Sequence, residues 1–357
     1  MKKIGLFTLI VLWAGLVLFA WFGPKQETSL AERRQLAQMP EITGETIFDG
    51  SFMKDFEKYS LDQFPLRDTF RSLKAVMHYY VLGQRDNNGI YIAEDHVAEI
   101  AYPLDTDSVD HALKQFNLVY DLYLQDSRVY ATVVPDKGYY LAQQNGYPSL
   151  DYEELFSRVE EGMPWATYVD ITGALSLKDY YYTDTHWKQE NLDAVAQTLA
   201  TAMGVSAEQD YTLTALERPF YGVYYGQAAL PLPSETMYIV QSDLLEQCTV
   251  YNYTTGKETG IYDMDKLESN DLYEVYLSGA QSLLRIENPN ATTDRELVVF
   301  RDSYGSSLVP LLVKDYAAVT LVDIRYIFPQ FIGQYVDFAD KDVLFMYSSL
   351  VLNKNLI

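Results

Sequence analysis

One cysteine, Cys248, stands among 357 residues, so no intramolecular disulfide can form and an extracytoplasmic body must rest on its hydrophobic core alone. Cys248 lies in Glu246-Gln247-Cys248-Thr249-Val250 with no histidine beside it, which suits a small buried apolar residue better than a nucleophile. Histidine is equally scarce. The four at 78, 96, 111 and 186 are not closely paired and have no cysteine partners, so no metal site is expected. Basic residues are outnumbered, Lys+Arg 27 against Asp+Glu 50, and the net charge of -23 repels nucleic-acid backbones and anionic headgroups alike. That charge reads as solubility at a crowded surface rather than as a docking site for a cationic partner. No Ser/Gly/Pro-rich linker, internal repeat or low-complexity tract divides the chain, so one large α/β domain with appendages is expected rather than two equal ones.

What is present begins with an uncharged run from Ile4 to Phe22, preceded by Lys2 and Lys3. As a helix it spans about 28 Å, close to the thickness of a bilayer core. It is a signal peptide or a signal anchor. Cleavage after Ala20 would put bulky Leu18 where signal peptidase needs a small residue, so an uncleaved anchor over residues 1–23 is expected. Lys25, Arg33 and Arg34 follow the span, but a single N-terminal span after a lysine pair acts as an export signal. The acidic body is therefore placed outside the cell membrane.

Residues 24–75 read as a stalk and an N-terminal helical segment, with helix predicted over 51–82 and broken or kinked at Pro65. Phe70, Leu73, Met77 and Tyr80 recur there on one face. From residue 76 onward strands and helices alternate, the pattern of a parallel sheet covered on both sides. Val129–Val134, Leu297–Phe300, Ala318–Asp323 and Val343–Met346 read as strands; 109–124, 152–162, 192–203 and 304–315 read as helices. Residues 211–290 change character, with Tyr, Thr and Val alternating among turn residues, and read as a β-rich insertion.

Two short motifs carry chemistry. Leu297-Val298-Val299-Phe300-Arg301-Asp302-Ser303-Tyr304-Gly305 is a buried strand running into a sharp turn and then a helix, which puts Ser303 at the carboxyl edge of the sheet, where ligands of open α/β sheets bind. Backbone N–H groups at the start of that helix are then available to an oxyanion. The plainer alternative is an ordinary helix N-cap. In Asp184-Thr185-His186-Trp187, an extended segment would turn Asp184 and His186 to one side, the carboxylate orienting one ring nitrogen and leaving the other for Ser303. Here the alternative is a polar loop capping the next helix, with Trp187 in the core; otherwise Trp187 and the preceding tyrosines wall the site from water.

Asp-Thr-His-Trp followed later by strand-Asp-Ser-Tyr-helix resembles the SGNH-like O-acetyltransferases of alginate acetylation, and most of all the bacterial DHHW family. Further matching segments are Glu32-Arg33-Arg34-Gln35-Leu36-Ala37, Phe52-Met53, Asp62-Gln63-Phe64-Pro65-Leu66-Arg67-Asp68, Val134-Pro135-Asp136-Lys137 and Val322-Asp323-Ile324-Arg325-Tyr326, in the same order. The resemblance implies an SGNH-hydrolase-like α/β fold with Ser303 as nucleophile, His186 as base and Asp184 as its orienting partner. It also implies Arg325 as a ligand for acyl or sugar, Lys137 as a shaper of the pocket, and Tyr304 packing under the nucleophile or touching substrate. Two departures stand out. Arg301 occupies the glycine position of the general Gly-Asp-Ser pattern and crowds the turn, and Leu277-Ser278-Gly279-Ala280-Gln281 offers only Gln281 where relatives show Gly-Asn for the oxyanion hole.

The implied activity is O-acyl transfer to, or ester hydrolysis on, a cell-surface glycan, with no cofactor and with a polytopic membrane O-acyltransferase partner supplying acetyl groups. The competing expectation is a non-catalytic glycan-binding or assembly protein that kept the fold, its 31 tyrosines stacking on sugar faces.

Overall fold

The computed structural model describes residues 2–29 and 31–357. Backbone contacts divide the chain into two compact units, one of residues up to Ile90 together with Tyr225–Leu232, the other of Tyr91–Tyr224 and Pro233–Ile357.

The first unit opens with a helix, Lys2–Phe22, whose Ile4–Phe22 portion is long and apolar enough to cross a membrane. A short antiparallel pair, Thr28–Ser29 with Arg34–Gln35, follows. Helices Ser51–Asp62 and Arg67–Val76 are separated by a break around Pro65, because proline restricts the residue before it and removes a backbone donor. Glu32 gathers Arg34, Arg67 and Arg71, and Asp62 pairs with Arg34 at 2.6 Å. The stripe of Phe70, Leu73, Met77 and Tyr80 faces outward rather than into a core.

The second unit is built on an eight-stranded sheet. Its strands are β1 (Arg128–Val134), β2 (Thr167–Tyr168), β3 (Thr249–Asn252), β4 (Lys257–Thr259), β5 (Leu283–Glu287), β6 (Glu296–Arg301), β7 (Ala318–Val322) and β8 (Asp342–Ser348), arranged β4-β3-β5-β7-β6-β8-β1-β2. The five strands β7-β6-β8-β1-β2 are mutually parallel. The central three, β7, β6 and β8, read as apolar runs because both faces are covered. Alternation assigns the faces: Leu297, Val299, Leu344 and Met346 join Val195 and Leu199 of helix Asp193–Met203. Val298, Phe300, Val343 and Phe345 join Val109 and Phe116 of helix Thr106–Val119 and Leu155 and Val159 of helix Tyr152–Gly162.

The 211–290 region divides in two. Thr212–Ala215 and Tyr238–Gln241 make a separate antiparallel ribbon, whereas β3, β4 and β5 extend the central sheet, with β5 antiparallel to β7. Three of the motifs sit where a parallel strand ends: Asp136-Lys137 after β1, Asp302-Ser303 after β6, and Asp323 and Arg325 after β7.

Candidate active site

The turn that carries Ser303 is set by Asp302. Its buried carboxylate accepts the Tyr304 N–H at 3.0 Å and, from the end of β8, the Ser348 N–H at 2.7 Å, so the turn is fastened to the neighbouring strand. The Gly305 N–H closes on the Asp302 carbonyl at 3.1 Å, and a single α-turn, Gly305–Leu308, follows before tightening to 3₁₀ over Val309–Leu312. The N–H groups of Tyr304 and Gly305 are thereby consumed. The Ser303 N–H has no acceptor among the described residues, and it belongs to the same turn as the Ser303 hydroxyl.

Asp184 and His186 meet, though not in an extended segment. Residues 182–186 form a bend closed by a bridge between Tyr180 and Trp187, with the Tyr181 N–H donating to the His186 carbonyl at 3.1 Å. Within the bend Asp184 Oδ1 accepts both the His186 N–H at 3.0 Å and His186 Nδ1 at 2.5 Å. An ionised carboxylate only accepts, so Nδ1 carries the ring proton and Nε2 is left with its lone pair. That nitrogen lies 2.7 Å from Ser303 Oγ. The three side chains form one hydrogen-bonded chain, with Asp184 fully buried and His186 nearly so.

The walls of this arrangement are aromatic. The His186 ring stacks on Tyr273, centroids 3.9 Å apart and planes 10° from parallel, and leans against Tyr304 at 4.9 Å. Tyr304 donates its hydroxyl to the Thr185 carbonyl at 2.7 Å, so it braces the Asp-His bend against the Ser303 turn. Trp187 is buried and its indole N–H reaches Ser307 Oγ at 2.9 Å and the Tyr304 carbonyl at 3.2 Å. Tyr273 also meets Ser307, hydroxyl to hydroxyl at 2.7 Å.

Lys137 is buried beneath the bend, donating to the carbonyls of Val97, of Tyr181 at 3.1 Å and of Tyr182 at 3.2 Å. Burial pushes its ammonium down to about 7, against the opposing pull of Asp184, Glu235 and Asp136. In the unfolded chain a lysine titrates near roughly 10.4. Between these values the unfolded state holds the extra proton, so this residue makes stability rise with pH and that contribution is lost as pH falls through 7. Lys137→Met is expected to remove that rise, measured as the difference in urea unfolding of the full chain in detergent at pH 7.5 and 9.5.

The remaining sequence candidates are engaged nearby. Arg325 forks onto Asp323, at 2.8 and 2.6 Å, and Asp323 raises its pKa despite burial. Gln281 accepts from Asn252 at the end of β3 at 2.9 Å and donates to the Ser278 carbonyl at 2.9 Å, so both ends of its amide are engaged. Among the described residues no cluster of three or more His, Cys, Asp or Glu could hold a metal.

Several contacts that hold the Asp184–His186 bend leave no mark in the sequence. Asp184 Oδ2 accepts the Val223 N–H at 2.8 Å, and Thr183 Oγ1 accepts the Gly222 N–H at 2.8 Å. Gly222 must be glycine, since a Cβ there would lie 2.2 Å from the Asp184 nitrogen. Glu235 takes the N–H groups of Tyr182 and Thr183 at 2.7 and 3.0 Å. Thus the 211–290 region supplies the second hold on the carboxylate and the ring over His186. A Tyr-Gly-Val segment was the sole trace of the first, and nothing in sequence tied it to Asp184.

No protein-family model matches the chain, and no curated protein matches it in sequence. Solved structures do. A DHHW family protein from Eubacterium siraeum superposes with a TM-score of 0.63 at 22% identity, covering 76% of this chain and 94% of the other. Bacillus cereus PatB1 carrying a sulfonyl adduct gives 0.58 at 16% identity, covering 75% and 97%. A second PatB1 structure gives 0.54 at 17%, covering 76% and 99%. The large, mostly parallel α/β sheet that gathers these motifs at its carboxyl edge is the fold that this chain shares with the DHHW family protein and with PatB1.

Proposed function

We propose that this chain is a membrane-anchored, extracytoplasmic SGNH-like O-acyltransferase that moves an acyl group to a cell-surface glycan through an acyl-Ser303 intermediate. The observation that carries the reading is the hydrogen-bonded chain Asp184–His186–Ser303 at the carboxyl edge of the sheet. The apolar helix at Ile4–Phe22 supports anchoring, and the acidic body suits a position outside the membrane. A membrane-embedded acyltransferase supplying the acyl group belongs to the same proposal.

Ser303 Oγ attacks the acyl carbon while His186 Nε2 takes the hydroxyl proton. The new C–O bond pushes the carbonyl electron pair onto oxygen, opposite the Ser303 N–H, and Asp184 holds the imidazolium that results. Collapse breaks the bond to the leaving group, which departs with the proton from Nε2. In the second half a sugar hydroxyl gives its proton to Nε2, attacks the acyl carbon and releases Ser303, which recovers that proton. Water in place of the sugar gives hydrolysis.

The test uses the full chain in detergent. Because a PatB1 structure carries a sulfonyl adduct, phenylmethylsulfonyl fluoride is the probe, with intact-mass and peptide mass spectrometry as the readout. One adduct on Ser303 is expected, absent in Ser303→Ala. No adduct on the wild-type chain, or one that persists in Ser303→Ala, overturns the reading and leaves glycan binding without catalysis.

A further inference from the structure

Arg301 is the last residue of β6 and is fully buried, yet it makes no ion pair among the described residues. Its guanidinium instead holds neutral groups. Nη1 donates to the Asp302 carbonyl at 3.2 Å and to Ser306 Oγ at 3.1 Å, and Nη2 donates to the Gly279 carbonyl at 3.1 Å. Nε has no partner. Burial disfavours this charge, and the buried carboxylates of Asp323 and Asp302 offset that cost through space, with no hydrogen bond to the guanidinium.

The acceptor that matters is the Asp302 carbonyl. It shares one planar peptide unit with the Ser303 N–H, so whatever fixes the carbonyl on one side fixes the direction of the N–H on the other. A charged donor on that oxygen also polarises the amide and strengthens the N–H as a donor. The Ser303 N–H is the group of the nucleophile turn left open for an oxyanion, because Asp302 takes those of Tyr304 and Gly305.

The other end of the clamp reaches the segment that carries Tyr273 over the His186 ring. This segment ends in Leu277, Ser278 and Gly279, three consecutive residues at positive φ (50, 56 and 75°), a conformation that persists only when its surroundings impose it. The surroundings are the Ile261 carbonyl on Leu277 N–H, Asp263 on Ser278 Oγ, and Arg301 on the Gly279 carbonyl. Room for the arginine comes from Gly305, where a Cβ would stand 2.9 Å from Arg301 Cβ and 3.1 Å from Cγ.

Building on the acyl-transfer reading, we infer that Arg301 is a positioning residue for the oxyanion: it orients and polarises the Asp302–Ser303 peptide and ties the Leu277–Gly279 turn to the nucleophile. It stands in for the asparagine that the Gln281 turn lacks. Loss of a direct oxyanion donor costs about a hundredfold to a thousandfold, so weakening one through its peptide is expected to cost about tenfold to a hundredfold.

The experiment compares wild type, Arg301→Met, Arg301→Lys and Ser303→Ala as full chains in detergent, with p-nitrophenyl acetate as substrate and thermal melts alongside. Arg301→Met is expected to lower kcat about tenfold to a hundredfold with KM changed less than about threefold, and to weaken phenylboronic acid, a tetrahedral mimic, by a similar factor. Arg301→Lys keeps charge but loses the fork across both turns, and is expected to recover only part of the rate. A kcat within threefold of wild type in either variant overturns the inference, as does a loss carried by KM with boronate affinity unchanged. Should Arg301→Met melt below assay temperature, Arg301→Lys decides by the same criteria. A wild-type chain that neither turns over the ester nor takes the sulfonyl label sinks the functional reading itself; an active wild type with unaffected Arg301 variants sinks only this one.

Discussion

Replacing Ser303 with alanine is expected to lower turnover of an activated ester by roughly a million-fold, the scale seen when the nucleophile of such a triad is removed. Ser303 Oγ sits 2.7 Å from the nitrogen that must take its proton, and alanine leaves that nitrogen facing nothing it can activate except water. Stability should barely move, since the lost hydrogen bond is partly exposed and worth about 1 kcal/mol. Steady-state rates with p-nitrophenyl acetate and a thermal melt check both halves. A residual rate within about tenfold of wild type would mean another group carries the acyl chemistry.

Asp184→Asn should cost about ten-thousandfold in kcat while the fold persists. The reason is specific to this bend. Both carboxylate oxygens accept here, Oδ1 from the His186 N–H and Nδ1 and Oδ2 from the Val223 N–H, so an asparagine must turn its NH₂ either toward Val223 or toward both His186 donors. Facing Val223 it repels the backbone donor and loosens the bend; facing the ring it selects the tautomer protonated at Nε2, which cannot take the serine proton. The pH–rate profile separates the two cases from simple unfolding, because a folded Asp184→Asn chain should recover rate only as hydroxide takes over the role of base. Wild-type rates at neutral pH in this variant would remove Asp184 from the mechanism.

The strands were legible because strands buried on both faces carry continuous apolar runs, and β1, β6, β7 and β8 fall within a residue or two of where those runs lie. The Asp184 and His186 pairing was legible from a spacing of two, but for a different physical reason from the one spacing suggests. The contact forms in a bend that Asp184 itself caps, not along a strand. Val223, 39 residues away, carries no mark of its role, since a backbone N–H leaves no signature in side-chain identity. Tyr273 is one of 31 tyrosines, and composition cannot say which of them stacks on the imidazole. The β-rich character of 211–290 was readable, whereas its partition was not: strand edges join by backbone hydrogen bonds, and β5 pairing to β7 turns what reads as an inserted segment into part of the main sheet.

Arg301 and Gly305 together show that the crowding expected at the Ser303 turn is relieved four residues downstream of the arginine, not tolerated. A small residue ahead of the aspartate and a small residue behind the serine are two answers to one packing problem. Pattern searches that insist on Gly-Asp-Ser admit only the first answer and pass over a turn built like this one. A search that instead requires glycine at either position, and a long basic side chain at the first when it sits at the second, follows the physics of the turn rather than its commonest spelling.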